Sequence, residues 1–79
     1  MNEMNKKICE LVANQIGTAD FNEETKLIST GLLDSFGVIT LITEFEGAFG
    51  VEFNLEELEF EQFNTVLSIA NLIKKMQSA

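Results

Sequence analysis

The sequence predicts an all-α protein, a small bundle of three longer helices and one short one with a long first loop. Three observations predict it. Proline is absent and few of the five glycines interrupt the periodic stretches. Apolar residues recur at helical spacing over three separate segments. Residues that start and stop helices flank those segments at the right places. The chain's 79 residues suffice for one small domain, taken as 1–79, and not for two. A domain of this size buries only roughly 60% of its unfolded surface, so its core is thin. A hydrophobic content of 46%, with seven phenylalanines, argues against disorder.

From Asn2 to about Ile16, the residues Met4, Ile8, Leu11, Val12 and Ile16 form the apolar stripe of a first helix, which Gly17 closes. Cys9 lies just off that stripe and reads as a packing residue. Residues 17–34 form a long connection, of a length that is uncommon without structure or function of its own. Phe21, Leu27, Ile28, Leu32 and Leu33 give it anchors across the helices, which makes it an ordered strap. Ile28-Ser29-Thr30-Gly31 reads as a turn, with Gly31 available for a positive φ. A second helix is expected from about Ser35 to Phe49, capped by Asp34 and ended by Gly50. Leu41, Ile42, Phe45 and Phe49 make its core stripe. Phe36, Val38 and Ile39 exceed what one stripe needs, which leaves apolar surface beside Ser35. A short acidic helix is expected within Leu55–Phe63, with Leu55, Leu58 and Phe63 at helix-like spacing. Asn64 or Thr65 then caps a last helix with the stripe Val66, Ile69, Ala70 and Ile73, and Lys74 and Lys75 in its final turn suit the helix dipole.

Charge and absences exclude several functions. Thirteen acidic residues stand against five lysines, for a formal net charge of −8. Such a surface repels the phosphate backbone of nucleic acid and the face of an anionic membrane. It favours partner proteins with basic patches. Without histidine there is no imidazole base or metal ligand. One cysteine forms neither an internal disulfide nor a zinc cluster. No apolar run has the length of a membrane span, and Met1-Asn2-Glu3 does not begin a signal peptide, so a cytoplasmic monomer is the expectation.

The most informative stretch is Gly31-Leu32-Leu33-Asp34-Ser35-Phe36-Gly37. It sets a serine where a polar loop gives way to a helix, beside the unpaired N–H groups of the first turn. Those groups and the helix dipole favour an anion there. Ser35 therefore reads as a nucleophile with an oxyanion hole or as the acceptor of a phosphodiester. A plainer role is that of a second helix-capping residue. The nucleophile lacks a base: there is no histidine and no G-x-S-x-G elbow, and the nearest lysine in sequence, Lys26, has no motif behind it.

With helix, long loop, G-L-L-D-S, helix, short acidic segment and final helix in this order, the chain resembles the acyl and peptidyl carrier proteins over nearly its whole length. That family consists of small four-helix bundles bearing 4′-phosphopantetheine on the serine of an Asp-Ser-Leu-type motif. By position, the resemblance makes Ser35 the covalent attachment residue and Asp34 the aspartate that helps a phosphopantetheinyl transferase engage the carrier. Phe36 takes the place of the motif's leucine or methionine and, with Ile39 and Glu44, is expected to touch partner enzymes. The resemblance implies no catalysis by the chain itself. The cofactor's thiol, not Cys9, would hold cargo as a thioester.

The run Leu32-Leu33-Asp34-Ser35-Phe36-Gly37 and Phe49-Gly50-Val51 looks more like D-alanyl carrier proteins, which read L-L-D-S-M-G and F-G-V there. Glu57-Leu58-Glu59 and Phe63-Asn64-Thr65 look like that group's E-F-D and W-D-T segments. Phe36 in place of methionine and Phe63 in place of tryptophan are departures. Fatty-acid carriers usually continue D-S-L-D, where this chain has Gly37. The resemblance thus implies an aminoacyl carrier served by an adenylating ligase. The alternatives are an acyl carrier of fatty-acid or polyketide synthesis, served by acyltransferase or synthase enzymes, and an unmodified helical module that binds proteins.

Overall fold

Asn2 begins the first helix by accepting the Asn5 N–H on its side-chain oxygen at 2.7 Å. In the computed structural model, which describes residues 2–78, that helix, α1, spans Glu3–Ile16. Met1 and Ala79, the ends of the expected 1–79 domain, lie outside the described residues. Helix α2 spans Ser35–Phe49 and α3 spans Val66–Ser78, with a short 3₁₀ helix at Phe60–Phe63 between them. Gly17 and Gly50 end α1 and α2 in the left-handed conformation, at φ 80° and 65°, where a Cβ would be strained. Their N–H groups return to the carbonyls of Ala13 and Glu46.

The expected boundaries of α1 and α2 agree with those observed. The segment 55–63 differs: it forms a turn at 55–57 and then a single 3₁₀ turn, not one continuous short helix. Four glutamates, Glu56, Glu57, Glu59 and Glu61, repel one another there and oppose a longer helix. Of the residues expected at helix-like spacing, Leu55 is 68% exposed, whereas Phe63 is buried. Thr65 caps α3 by accepting the Ser68 N–H at 3.1 Å. Of the two lysines expected in the final turn of α3, only Lys75 lies in it.

The core joins one stripe from each helix: Ile8 and Val12 of α1, Leu41, Ile42 and Phe45 of α2, and Val66, Ile69, Ala70 and Ile73 of α3. Val38, expected on the surplus surface, belongs to it as well. Phe53 and Phe63 close one side with ring centroids 6.0 Å apart, and Phe45 and Phe49 pack at 6.2 Å. Burying each such side chain contributes about 1.5–3 kcal/mol against the entropy of ordering it.

The strap 17–34 is tied at several points. Leu27 and Leu33 are buried, Phe21 and Ile28 half-buried, and Leu32, expected as an anchor, is exposed. Asn64 holds the strap's turn. Its backbone carbonyl accepts the Leu27 N–H at 2.6 Å, and its side-chain oxygen accepts the N–H groups of Ile28 and Ser29. Farther back, the Glu23 carbonyl accepts the Leu67 N–H, and the Glu23 carboxylate accepts the side-chain amide of buried Asn5. These ties bring the Gly31–Asp34 stretch to the start of α2 in a fixed position. Among the described residues no helix is long and apolar enough to cross a membrane.

Candidate functional site

Asp34 is extended at φ −105°, ψ 178°, and its Oδ1 accepts the Gly37 N–H at 2.8 Å. Its backbone carbonyl accepts the Val38 N–H at 3.0 Å, the first bond of the helix ladder. Ser35 is therefore the first helical residue, and it is exposed. The N–H groups of Ser35 and Phe36 precede the ladder and point away from it, as they do at any helix start. The helix dipole adds partial positive charge at the same place.

Beside Ser35 runs a groove of about 230 Å³ between α2 and the segment 55–63. Ile39 and Ile42 form one wall, Leu55 and Phe60 the other, and Phe63 the floor, with Glu59 the single acid lining it. Two larger hollows, one along Asn71, Lys74 and Lys75 and one beneath Phe53 and Met76, do not include Ser35. The second apolar wall does not follow from the sequence reading, in which Leu55 stands at helix-like spacing with Leu58 and Phe63 and Phe60 falls off that spacing. The available signal was the pair itself: large apolar residues in an acidic segment too charged to hide them.

Phe36 is 76% and Ile39 65% exposed, so the apolar surface expected beside Ser35 is present, without Val38. Phe36, Thr40 and Glu44 follow one another at four-residue spacing along α2, which sets an exposed carboxylate on the same face as Phe36. Glu52, Glu56, Glu57, Glu59 and Glu61 are all exposed on the connection after α2.

Cys9 is half-buried on α1, and its thiol is pushed above the ordinary range, first by burial and then by the Glu23 carboxylate. A thiol so placed is a poor nucleophile. Among the described residues no group of histidine, cysteine and acidic side chains is arranged to hold a metal ion. The arrangement at Ser35 thus offers a solvent-facing hydroxyl, backbone donors suited to an anion and an adjoining apolar groove.

The chain matches the family model described as phosphopantetheine attachment site over residues 6–73. It is 34% identical over 74 residues to the D-alanyl carrier protein of Lactococcus lactis subsp. lactis (strain IL1403), covering 91% of this chain and 94% of that protein. It is 32% identical over 72 residues to the D-alanyl carrier protein of Lacticaseibacillus casei (strain BL23), covering 89% of each. It is also 34% identical over 77 residues to the acyl carrier protein of Buchnera aphidicola subsp. Baizongia pistaciae (strain Bp), covering 95% of this chain and 96% of that protein.

Proposed function

The chain belongs to the phosphopantetheine-attachment family, and from that membership we propose that Ser35 bears the group and that its cargo is an amino acid. The observation that carries the first half is the exposed Ser35 hydroxyl at the start of α2, after the capping Asp34. The site's chemistry fits the group. Ser35 Oγ contributes the ester oxygen, the first-turn N–H groups and the dipole favour the phosphate, and the apolar groove offers a path for the arm. When bound, 4′-phosphopantetheine supplies a flexible arm ending in a thiol that carries the cargo. The chain's own residues tether, position and present it, which raises the cargo's effective concentration at each partner.

Asp34 spends Oδ1 on the cap and turns its remaining charge outward, where a phosphopantetheinyl transferase and its metal ion meet it. Phe36 and Ile39 form the apolar contact for partner enzymes, and Glu44 draws their basic patches. The loading enzyme is an adenylating ligase, and D-alanine is the first cargo to test, given the D-alanyl carrier proteins among the relatives. We read residues 1–79 as one carrier domain that works as a cytoplasmic monomer, with the segment 55–63 in the place of the family's short fourth helix. The second reading, an acyl carrier, is favoured by the likeness to the Buchnera protein and by the apolar groove beside Ser35.

The deciding experiment is intact-mass measurement after incubation with coenzyme A, magnesium and a broad-specificity transferase. One phosphopantetheinyl increment is expected, absent in Ser35→Ala. No increment beside an active control carrier refutes the attachment reading and leaves an unmodified binding module. Supplying the loaded protein with D-alanine, other amino acids or malonyl groups and their candidate enzymes then separates the cargo classes. Loading by a malonyl transferase and by no amino acid ligase overturns the aminoacyl reading.

A further inference from the structure

Gly37 occupies the third position of α2, in the helix turn that carries Ser35. Local preference does not explain it. Glycine weakens a helix start, and a glutamate or glutamine there would complete a reciprocal cap. Packing does explain it, because Gly37 is buried against Leu33, Asp34 and Gln15. A Cβ at this position would lie 2.8 Å from Leu33 Cδ1, 3.3 Å from Asp34 Oδ1 and 3.4 Å from Gln15 Nε2. The last two contacts can relax by a few tenths of an ångström; the first forces something to move.

Leu33 has little room to yield. It is 2% exposed, and its N–H is bonded to the Leu27 carbonyl at 2.9 Å. A side chain at 37 therefore acts on the next residue along the strap, Asp34, whose carboxylate lies over the same spot. Resting on the reading of Ser35 as the attachment point, we propose that Gly37 is a positioning residue. Its missing side chain lets Leu33 seat in the core while Asp34 caps α2 with one oxygen and turns its charge outward beside Ser35. The transferase then meets a hydroxyl and a carboxylate in one fixed relation.

The test uses Gly37→Ala, Leu33→Val and the double variant, since valine lacks the Cδ1 that the new methyl meets. In the unmodified wild-type chain the amide proton of residue 37, bonded to Asp34 Oδ1, follows acid titration of that carboxylate by NMR. In Gly37→Ala this response is expected to fall away, while far-UV circular dichroism stays helical. Transferase KM is expected to rise about tenfold with a smaller change in kcat. Asp34→Asn adds little further loss in the Gly37→Ala background, and Leu33→Val with Gly37→Ala regains both the amide response and the KM.

A folded Gly37→Ala chain with wild-type titration and KM overturns the proposal. So does a double variant as impaired as the single one, or losses from Gly37→Ala and Asp34→Asn that multiply. If Gly37→Ala does not fold, the double variant decides alone by the same two readings. The amide titration needs no transferase, so a wild-type chain that is never modified refutes the Ser35 reading while leaving the hold of Gly37 on Asp34 separately measurable.

Discussion

Replacing Asp34 by alanine and by asparagine separates the two tasks assigned to this side chain. Alanine removes the acceptor of the 2.8 Å bond from the Gly37 N–H. Gly37 is buried, so water reaches the orphaned N–H poorly and the loss belongs in the upper half of the range for caps, about 1–2 kcal/mol. For a domain of this length that lowers Tm by roughly 4–16 °C while leaving the chain folded. Asparagine keeps an oxygen in the same place and gives up only the charge at the helix start, worth about 0.3–1 kcal/mol and screened by salt. The expected order in thermal melts followed by far-UV circular dichroism is therefore wild type, then Asp34→Asn, then Asp34→Ala. The gap between the last two should persist at high salt, and that between the first two should shrink. In transferase kinetics both variants are expected to be impaired, since each lacks the charge proposed to meet the transferase. An Asp34→Ala melt equal to wild type refutes the cap as a source of stability. Equal losses in the two variants refute the division between hydrogen bond and charge.

Phe45 is fully buried beside Phe49, so Phe45→Ala should cost roughly 3–5 kcal/mol in urea denaturation, and a shift below about 1 kcal/mol shows the core to be misassigned. The five exposed glutamates after α2 and a net charge of −8 should make added sodium chloride or magnesium raise Tm; a Tm indifferent to both refutes that repulsion. The Cys9 thiol, raised by burial and then by Glu23, holds less thiolate at pH 8 than the same residue in unfolded chain. Native alkylation by iodoacetamide should thus be slower than in urea, and equal rates contradict it. Because the folded value lies above the unfolded one, this thiol leaves stability unchanged below the ordinary thiol pKa and lowers it as pH rises beyond.

The helices were legible because their signals are local. Helical spacing marked Ile8 with Val12, Leu41 with Phe45, and Ile69 with Ile73, and Asp34, Gly17 and Gly50 bounded two of the elements. Segment 55–63 was legible only in part, because its apolar spacing favours a helix while its four like charges oppose a long one, and the outcome is a single 3₁₀ turn at Phe60–Phe63. The ties of the strap were illegible for another reason. Asn64 bonds to Leu27, Ile28 and Ser29 across some 35 positions of chain, and no window of sequence contains both ends.

The candidate site divides along the same line. The exposure of Ser35 and the cap by Asp34 follow from their order in the chain, as does the apolar face of Phe36 and Ile39. Gly37 shows what order alone leaves out. Read as a letter in a motif it distinguishes one group of carriers from another, without saying what a glycine does there. In three dimensions its neighbours are Leu33, Asp34 and Gln15, the last brought in from α1, so the letter marks a place where strap, cap and first helix converge. A side chain is excluded by the packing that fixes the carboxylate next to Ser35. The residue that separates subtypes in sequence is thereby tied to the packing that sets Asp34 beside Ser35, the geometry proposed to meet the transferase.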